Sequence, residues 1–210
     1  ERLHKRGITG RARRDFDCGS LGHIGVDIMS AFITNFQSPV EMQDLEDRFR
    51  RGGTSNLNML LHWRQFQPLE WTVDKQAVAG DTVLFMCAKT SVDHIGRLYT
   101  QIRKAGQKDS ALGRFAAAQQ ALYKKYAGCI VAFGRVAKEP FQTEAPGWDA
   151  PYWRSPWYAE IDHILLLDMP IHISQFWDFI TVSRTGAITR LNTEQWAKLR
   201  TLIANMSSVL

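Results

Sequence analysis

The chain has 210 residues, 45% of them hydrophobic, with seven Trp, a formal net charge of +5 and a sequence pI of about 9.2. That length and apolar content suit one packed domain and argue against disorder, while the positive balance is compatible with a polyanionic partner without requiring one. Cys18, Cys87 and Cys129 are widely spaced and form no CxxC pair, so free thiols in a reducing compartment are expected rather than a disulfide framework or a zinc knuckle. No apolar run nears the roughly 18 residues that span a bilayer. The Arg-rich N-terminus has no secretory apolar region. The expectation is a cytoplasmic protein with no membrane association.

Residues 1–28 have little periodicity and read as a flexible basic extension or leader, with 29–210 as one domain. Residues 31–36 form a plausible first strand. Ser38, Pro39 and Glu41 then read as a capping box that opens a helix carrying Met42, Leu45 and Phe49, which ends before Gly52 and Gly53. Leu57, Leu60 and Leu61 suggest a further helical turn before Pro68. Trp71, Thr72 and Val73 lead through a turn at Ala79, Gly80 and Asp81 into the continuous apolar run 82–87, a strand buried on both faces.

From Lys89 to Tyr126 the periodicity is helical: Ile95, Leu98, Tyr99 and Ile102 share one face, and Leu112, Phe115, Leu122 and Tyr126 suggest a second helix after Gly106. Residues 129–136 return to strand. An aromatic, Pro-rich loop follows over 139–156. Residues 157–162 and 164–167 read as strands stopped by Pro170, and Asn192 to Gln195 is a capping box for a last helix with Trp196, Leu199, Leu202 and Ile203 turned inward. The fold class is α+β.

Catalytic signatures are absent from the sequence. His62, His94, His163 and His172 form no metal-binding pair. Asp162 and His163 are adjacent in a strand pattern, which directs them to opposite faces. There is no phosphate-binding glycine loop and no nucleophile elbow. Cys87 and Cys129 sit in apolar runs, where inert thiols are expected. The chain is read as a binding domain rather than an enzyme, with no metal and no organic cofactor.

The order of these motifs resembles EVE domains: Thr34-Asn35-Phe36-Gln37-Ser38-Pro39 before a helix, then Trp71-Thr72-Val73, the strand after Gly80-Asp81, the run 128–136, and Ser183-Arg184 with Asn192-Thr193-Glu194 before the last helix. The resemblance implies a PUA-like small twisted β-barrel flanked by helices, related to YTH and ASCH domains. One departure is the helical insertion over about 89–127, where such folds carry a short hairpin. The resemblance also implies a reader of a modified base, with methylated or hydroxymethylated cytosine in DNA favoured over RNA, flipped into an aromatic pocket. Such a module would serve as the sensor of a modification-dependent restriction system, with a nuclease or motor effector as a fused domain or a subunit. A reader of modified RNA, or a regulator binding a free nucleoside, remains the alternative.

Four constellations carry this expectation. Trp71, followed by Thr72, matches the Trp and small hydroxyl residue of YTH pockets and is a candidate stacking face, or else a plug at the barrel end. In the loop, Trp148, Tyr152, Trp153, Trp157 and Tyr158 are interleaved with prolines that stiffen it; one or two of these rings, from Trp148, Trp153 and Trp157, would complete the pocket, the others covering the core. Asn35 and Phe36 at the exit of the first strand, and Cys87 at the exit of the buried one, would lie near the same mouth, with Asn35 either offering hydrogen bonds to a base edge or capping a turn. Lys89, Arg97, Arg103, Lys104, Lys108, Arg114, Lys124 and Lys125 in the insertion face only Asp93 and Asp109. This excess suits the phosphates of a nucleic-acid backbone, or is a solvated helical face.

Overall fold

The computed structural model describes residues 30–142, 157–182 and 188–207. Among them the elements run β1 (Ala31–Phe36), α1 (Met42–Arg50), α2 (Asn56–Leu61), a 3-10 turn at Trp63–Gln65, β2 (Leu69–Thr72), β3 (Thr82–Cys87), α3 (Ser91–Lys104), α4 (Ala111–Tyr126), β4 (Cys129–Val136), β5 (Phe141–Gln142), β6 (Trp157–His172), a 3-10 turn at Ile173–Gln175, β7 (Ile188–Leu191) and α5 (Thr193–Ser207). The strands form one sheet in the order β2-β6-β4-β3-β1-β7, with β5 paired to β6. This sheet curls into a half barrel flanked by the helices.

The apolar run of β3 explains its central place. Five of its six residues, Val83 to Cys87, are buried, because it has a core on each face. It pairs in parallel with β1, Ala31 opposite Thr82 and Phe36 opposite Cys87, and antiparallel with β4. The Asp81 carboxylate holds the start of this parallel pair. Its Oδ1 accepts from the Ser30 N–H at 2.9 Å and the Ser30 hydroxyl at 3.0 Å, and its Oδ2 from the Val78 N–H at 3.1 Å.

Strand alternation then sorts the side chains. Phe32, Phe36, Val83, Phe85, Cys87, Leu69, Trp71, Ala159 and Ile161 join the core that α2, α3 and α4 cover with Leu57, Ile95, Leu98 and Tyr123. Ala31, Ile33, Leu84, Met86, Ile130 and Ile171 join the opposite core, closed by Phe176, Ile180 and Leu199. The curl brings β2 to face β1, but no ladder joins the two strands. Their link is side-chain mediated: the buried Thr34 hydroxyl donates to the Thr72 carbonyl at 3.4 Å.

Three local expectations are corrected. Ser38 is no helix cap: α1 begins after Glu41, which makes no side-chain cap. The Ser38 hydroxyl instead donates to the Ser91 carbonyl at 2.8 Å, and its N–H to the Ser91 hydroxyl at 3.1 Å. Pro170 does not stop the strand, because it falls in a bulge of β6 between Leu166 and Ile171 where no ladder bond is asked of it. Residues 157–172 are therefore one bent strand rather than two. At His163, φ is 48°, which breaks the alternation, so the ring sits 3.8 Å from the Asp162 carboxylate instead of on the opposite face. The last helix does open as the sequence suggests: the Gln195 N–H donates to Asn192 Oδ1 and the Asn192 N–H to Gln195 Oε1, both at 2.9 Å.

Segment 89–127 folds as a hairpin of α3 and α4 inserted between β3 and β4. Ser110 caps α4, its hydroxyl accepting from the Gly113 N–H at 3.0 Å. A Cβ at Gly113 would lie 2.4 Å from the carbonyl oxygens of Gln107 and Lys108. This helical glycine exists for the tight turn. Gly113→Ala, although Ala is the better helix former by about 1 kcal/mol, is expected to destabilise the fold by about 1–3 kcal/mol through overpacking. Chemical denaturation measures this, and a gain in stability contradicts the packing described.

Candidate functional site

The surfaces of β1 and β2 that face each other inside the curled sheet gather part of the predicted base pocket. Alternation puts Trp71 inward between Leu69 and Val73. Its ring meets Phe36 at 5.9 Å and 84° and Phe85 at 5.1 Å and 87°, both edge-to-face, a favoured aromatic geometry. The residue is 6% exposed. Trp71 is therefore a core residue, and the expectation of an open stacking face is corrected: the T-shaped neighbours and the curl of the sheet cover the ring. Its edge is another matter. The buried indole Nε1 has no hydrogen-bond partner among the described residues, and leaving such a donor unpaired costs about 1–3 kcal/mol.

The other predicted pocket residues divide by face. Phe36 and Cys87 are fully buried on the Trp71 side, so neither presents surface to a ligand in this conformation. Trp157 is half-buried and shares the alternation of Ala159 and Ile161, with its carbonyl accepting from the Val73 N–H at 3.1 Å. Asn35, half-buried, falls by alternation on the opposite face of β1 with Ala31 and Ile33. Thr72, buried, alternates away from Trp71 and lies opposite Tyr158. Trp148 and Trp153 lie outside the described residues. The structure thus brings Trp71, Phe36 and Cys87 into one core and separates Asn35 and Thr72 from them, while Trp157 shares only the strand alternation of Ala159.

Burial pushes the Cys87 thiol from its ordinary value of 9.0 up to about 12, and burial raises Cys129 as well. A neutral, buried thiol is a poor nucleophile. The His94 pKa is lowered, by burial first and then by the Arg97 charge, so that ring adds no charge to α3 at neutral pH. Among the described residues no cluster of His, Cys, Asp or Glu is arranged to hold a metal ion.

The inserted hairpin carries the charge. Lys89, Arg97, Arg103, Lys104, Lys108, Arg114, Lys124 and Lys125 are all exposed, and none makes an ion pair with a carboxylate of the described residues. Their contacts are neutral: Arg97 donates to the Val40 carbonyl at 3.0 Å, Arg114 to the Asp109 carbonyl, and Arg103 and Lys125 lie over Tyr99 and Tyr126 at 6.0 and 5.0 Å. By contrast, Arg135 pairs with both Asp162 oxygens at 3.1 Å and Lys138 with Glu160 at 2.7 Å. The hairpin leaves the sheet at Cys87 and returns at Cys129. The aromatic loop leaves from the other end of β4, after Val136. The hairpin and the loop thus leave from opposite ends of β4.

Three features had not been singled out from sequence. A cleft of about 210 Å³ lies between α1 and α2, lined by Asp44, Arg48, Arg51, Met59 and Phe66 among others. At its wall Arg48 Nε donates to Asp44 Oδ1 at 2.7 Å, with both side chains nearly buried; the i, i+4 spacing was the available signal. A polar network joins α2 to α4, where Asn58 Oδ1 accepts from Ser55 Oγ at 2.6 Å and from Gln119 Nε2 at 3.0 Å. Finally Leu165, Leu166, Met169 and Trp177 are large apolar residues left exposed, with Trp177 72% exposed.

Because its ring is packed on Phe36 and Phe85, Trp71→Ala is expected to lose about 3–5 kcal/mol of stability. A loss below about 1 kcal/mol in urea unfolding would place the ring at the surface instead. Neither protein-family models nor curated proteins match this chain.

Proposed function

We propose that this chain is a PUA-like reader of a modified base in DNA, most simply a methylated or hydroxymethylated cytosine, acting as the sensor of a nuclease or motor effector in the cytoplasm. The observation that carries the reading is the buried indole N–H of Trp71, unpartnered among the described residues, inside the curl of the sheet where β2 and β1 approach without ladder bonds. A base extruded from its stack brings ring nitrogens and carbonyl oxygens that accept hydrogen bonds. A buried donor beside β1 and β2, which the Thr34 hydroxyl links at 3.4 Å, suits such an acceptor.

In this reading Trp71 contributes its edge, and Trp157 contributes the ring face on which the base stacks. Extrusion costs a few kcal/mol. Stacking on one aromatic ring returns roughly 1–3 kcal/mol, and a satisfied buried donor about as much again. The two together offset the extrusion. The order of sequence motifs shared with EVE domains supports the choice of a modified base over a plain one.

Trp71→Phe separates the donor from the packing. Fluorescence anisotropy with a duplex carrying one 5-methylcytosine, its unmodified counterpart and RNA of the same sequence reads the outcome. The modified duplex is expected to bind at least about tenfold tighter than the unmodified one, and Trp71→Phe to weaken binding about tenfold, or ~1.4 kcal/mol, while remaining folded. Equal affinity for modified and unmodified duplexes would remove the reading. Tighter binding of RNA carrying the modification would move it to RNA.

A further inference from the structure

We infer that the α3–α4 hairpin is an arm that lies lengthwise along the backbone of a double helix, gripping phosphates without reading bases; the inference rests on the nucleic-acid reading above and specifies its second point of attachment. The buried face of α3 is Ser91, Ile95, Leu98 and Ile102, and that of α4 is Gly113, Ala116, Gln119 and Tyr123. On the far side of α3, Arg97 and Lys104 are seven residues apart, two turns and about 10 Å along one face. On the far side of α4, Arg114 and Lys125 are eleven residues apart, three turns and about 16 Å.

Packed helices run about 8–10 Å apart, so these four cations form two rows on one outward surface. The surface is about 20 Å long, from the turn between the helices to Lys125. At about 3.4 Å per nucleotide step of a strand, this matches about six base pairs. Between Arg114 and Lys125 the exposed residues of α4 include Ala118 and Ala121, which do not hold a backbone away.

The kind of polyanion follows from what the surface lacks. Single-strand binders stack bases on exposed aromatic rings. Here Phe115 is packed on Phe49 at 5.6 Å, and Tyr99 and Tyr126 are half-buried beneath Arg103 and Lys125. An interfacial membrane helix presents bulky apolar residues beside its cations; the outward rows present Ala, Thr, Gln, Lys and Arg, with Asp93 one turn before Arg97. A surface of charge without stacking rings or apolar wedges fits a partner whose bases are hidden inside a duplex.

The test is the salt dependence of binding for the full chain and for the variant Arg97→Gln, Lys104→Gln, Arg114→Gln, Lys125→Gln, whose exposed positions leave the core untouched. Probes are a duplex of about twenty base pairs with and without one 5-methylcytosine, the matching single strand, and vesicles of anionic phospholipid. Every phosphate that is no longer neutralised lowers the slope of log affinity against log salt by about 0.9, so the slope on duplex is expected to fall by roughly 3–4 in the variant. The preference for the modified duplex should stay unchanged. An unchanged slope, a single strand bound more tightly than duplex, or vesicles bound as tightly as duplex overturns the arm. An unchanged slope with the modified-base preference intact sinks the arm alone. A lowered slope with no modified-base preference sinks the base reader and keeps the arm.

Discussion

The parallel pairing of β1 with β3 is the constraint on which the rest of the molecule depends. It places a strand of apolar residues between two cores, and the Asp81 carboxylate fixes where the pair begins by binding Ser30 and the Val78 N–H. Once Phe36 stands beside Cys87, the sheet has its hairpin insertion at one end of β3 and β4 and its aromatic loop at the other. The remaining strands curl until β2 faces β1. No ladder closes that junction, so its chemistry is left to side chains: Thr34 reaching across to Thr72, and Trp71 pointing between Phe36 and Phe85.

That arrangement changes how an aromatic pocket has to work. A tryptophan held edge-to-face by two phenylalanines has no free face, but it keeps an N–H with no partner among the described residues. Leaving a buried donor unpaired costs about as much as breaking one buried hydrogen bond, and a fold retains such a cost where something else is gained. The charge on the hairpin is the electrostatic counterpart. Eight exposed cations with no carboxylate partner among the described residues repel one another, whereas Arg135, Lys138 and Arg190 are paired.

Much of the fold was legible because its signals are local. The run 82–87 reads as a doubly buried strand from composition alone, the two helices of the insertion from their apolar spacing, and the Asn192 box from the identities of four neighbours. The failures came where tertiary partners decide. Ser38 looks like a cap until Ser91 arrives from about fifty residues away and takes its hydroxyl. Pro170 looks like a stop, but a bulge at that point asks nothing of its missing N–H. His163 and Asp162 share a side only because φ turns positive between two ordinary strand stretches. The candidate site suffered most. Residue types nominated Asn35, Thr72 and Trp71 together, yet the two-residue period of a strand places Asn35 and Thr72 on the faces opposite their neighbours Phe36 and Trp71. The exposure of the basic residues, by contrast, followed directly from helical periodicity.

The central claim is that the Trp71 N–H meets a base. Its indole resonance, identified in a 15N-labelled sample by its absence in Trp71→Phe, reports on that bond directly. The account predicts that a duplex carrying a modified cytosine moves this resonance downfield at saturation while an unmodified duplex leaves it in place. A Trp71 resonance that stays fixed with the modified duplex fully bound would contradict it.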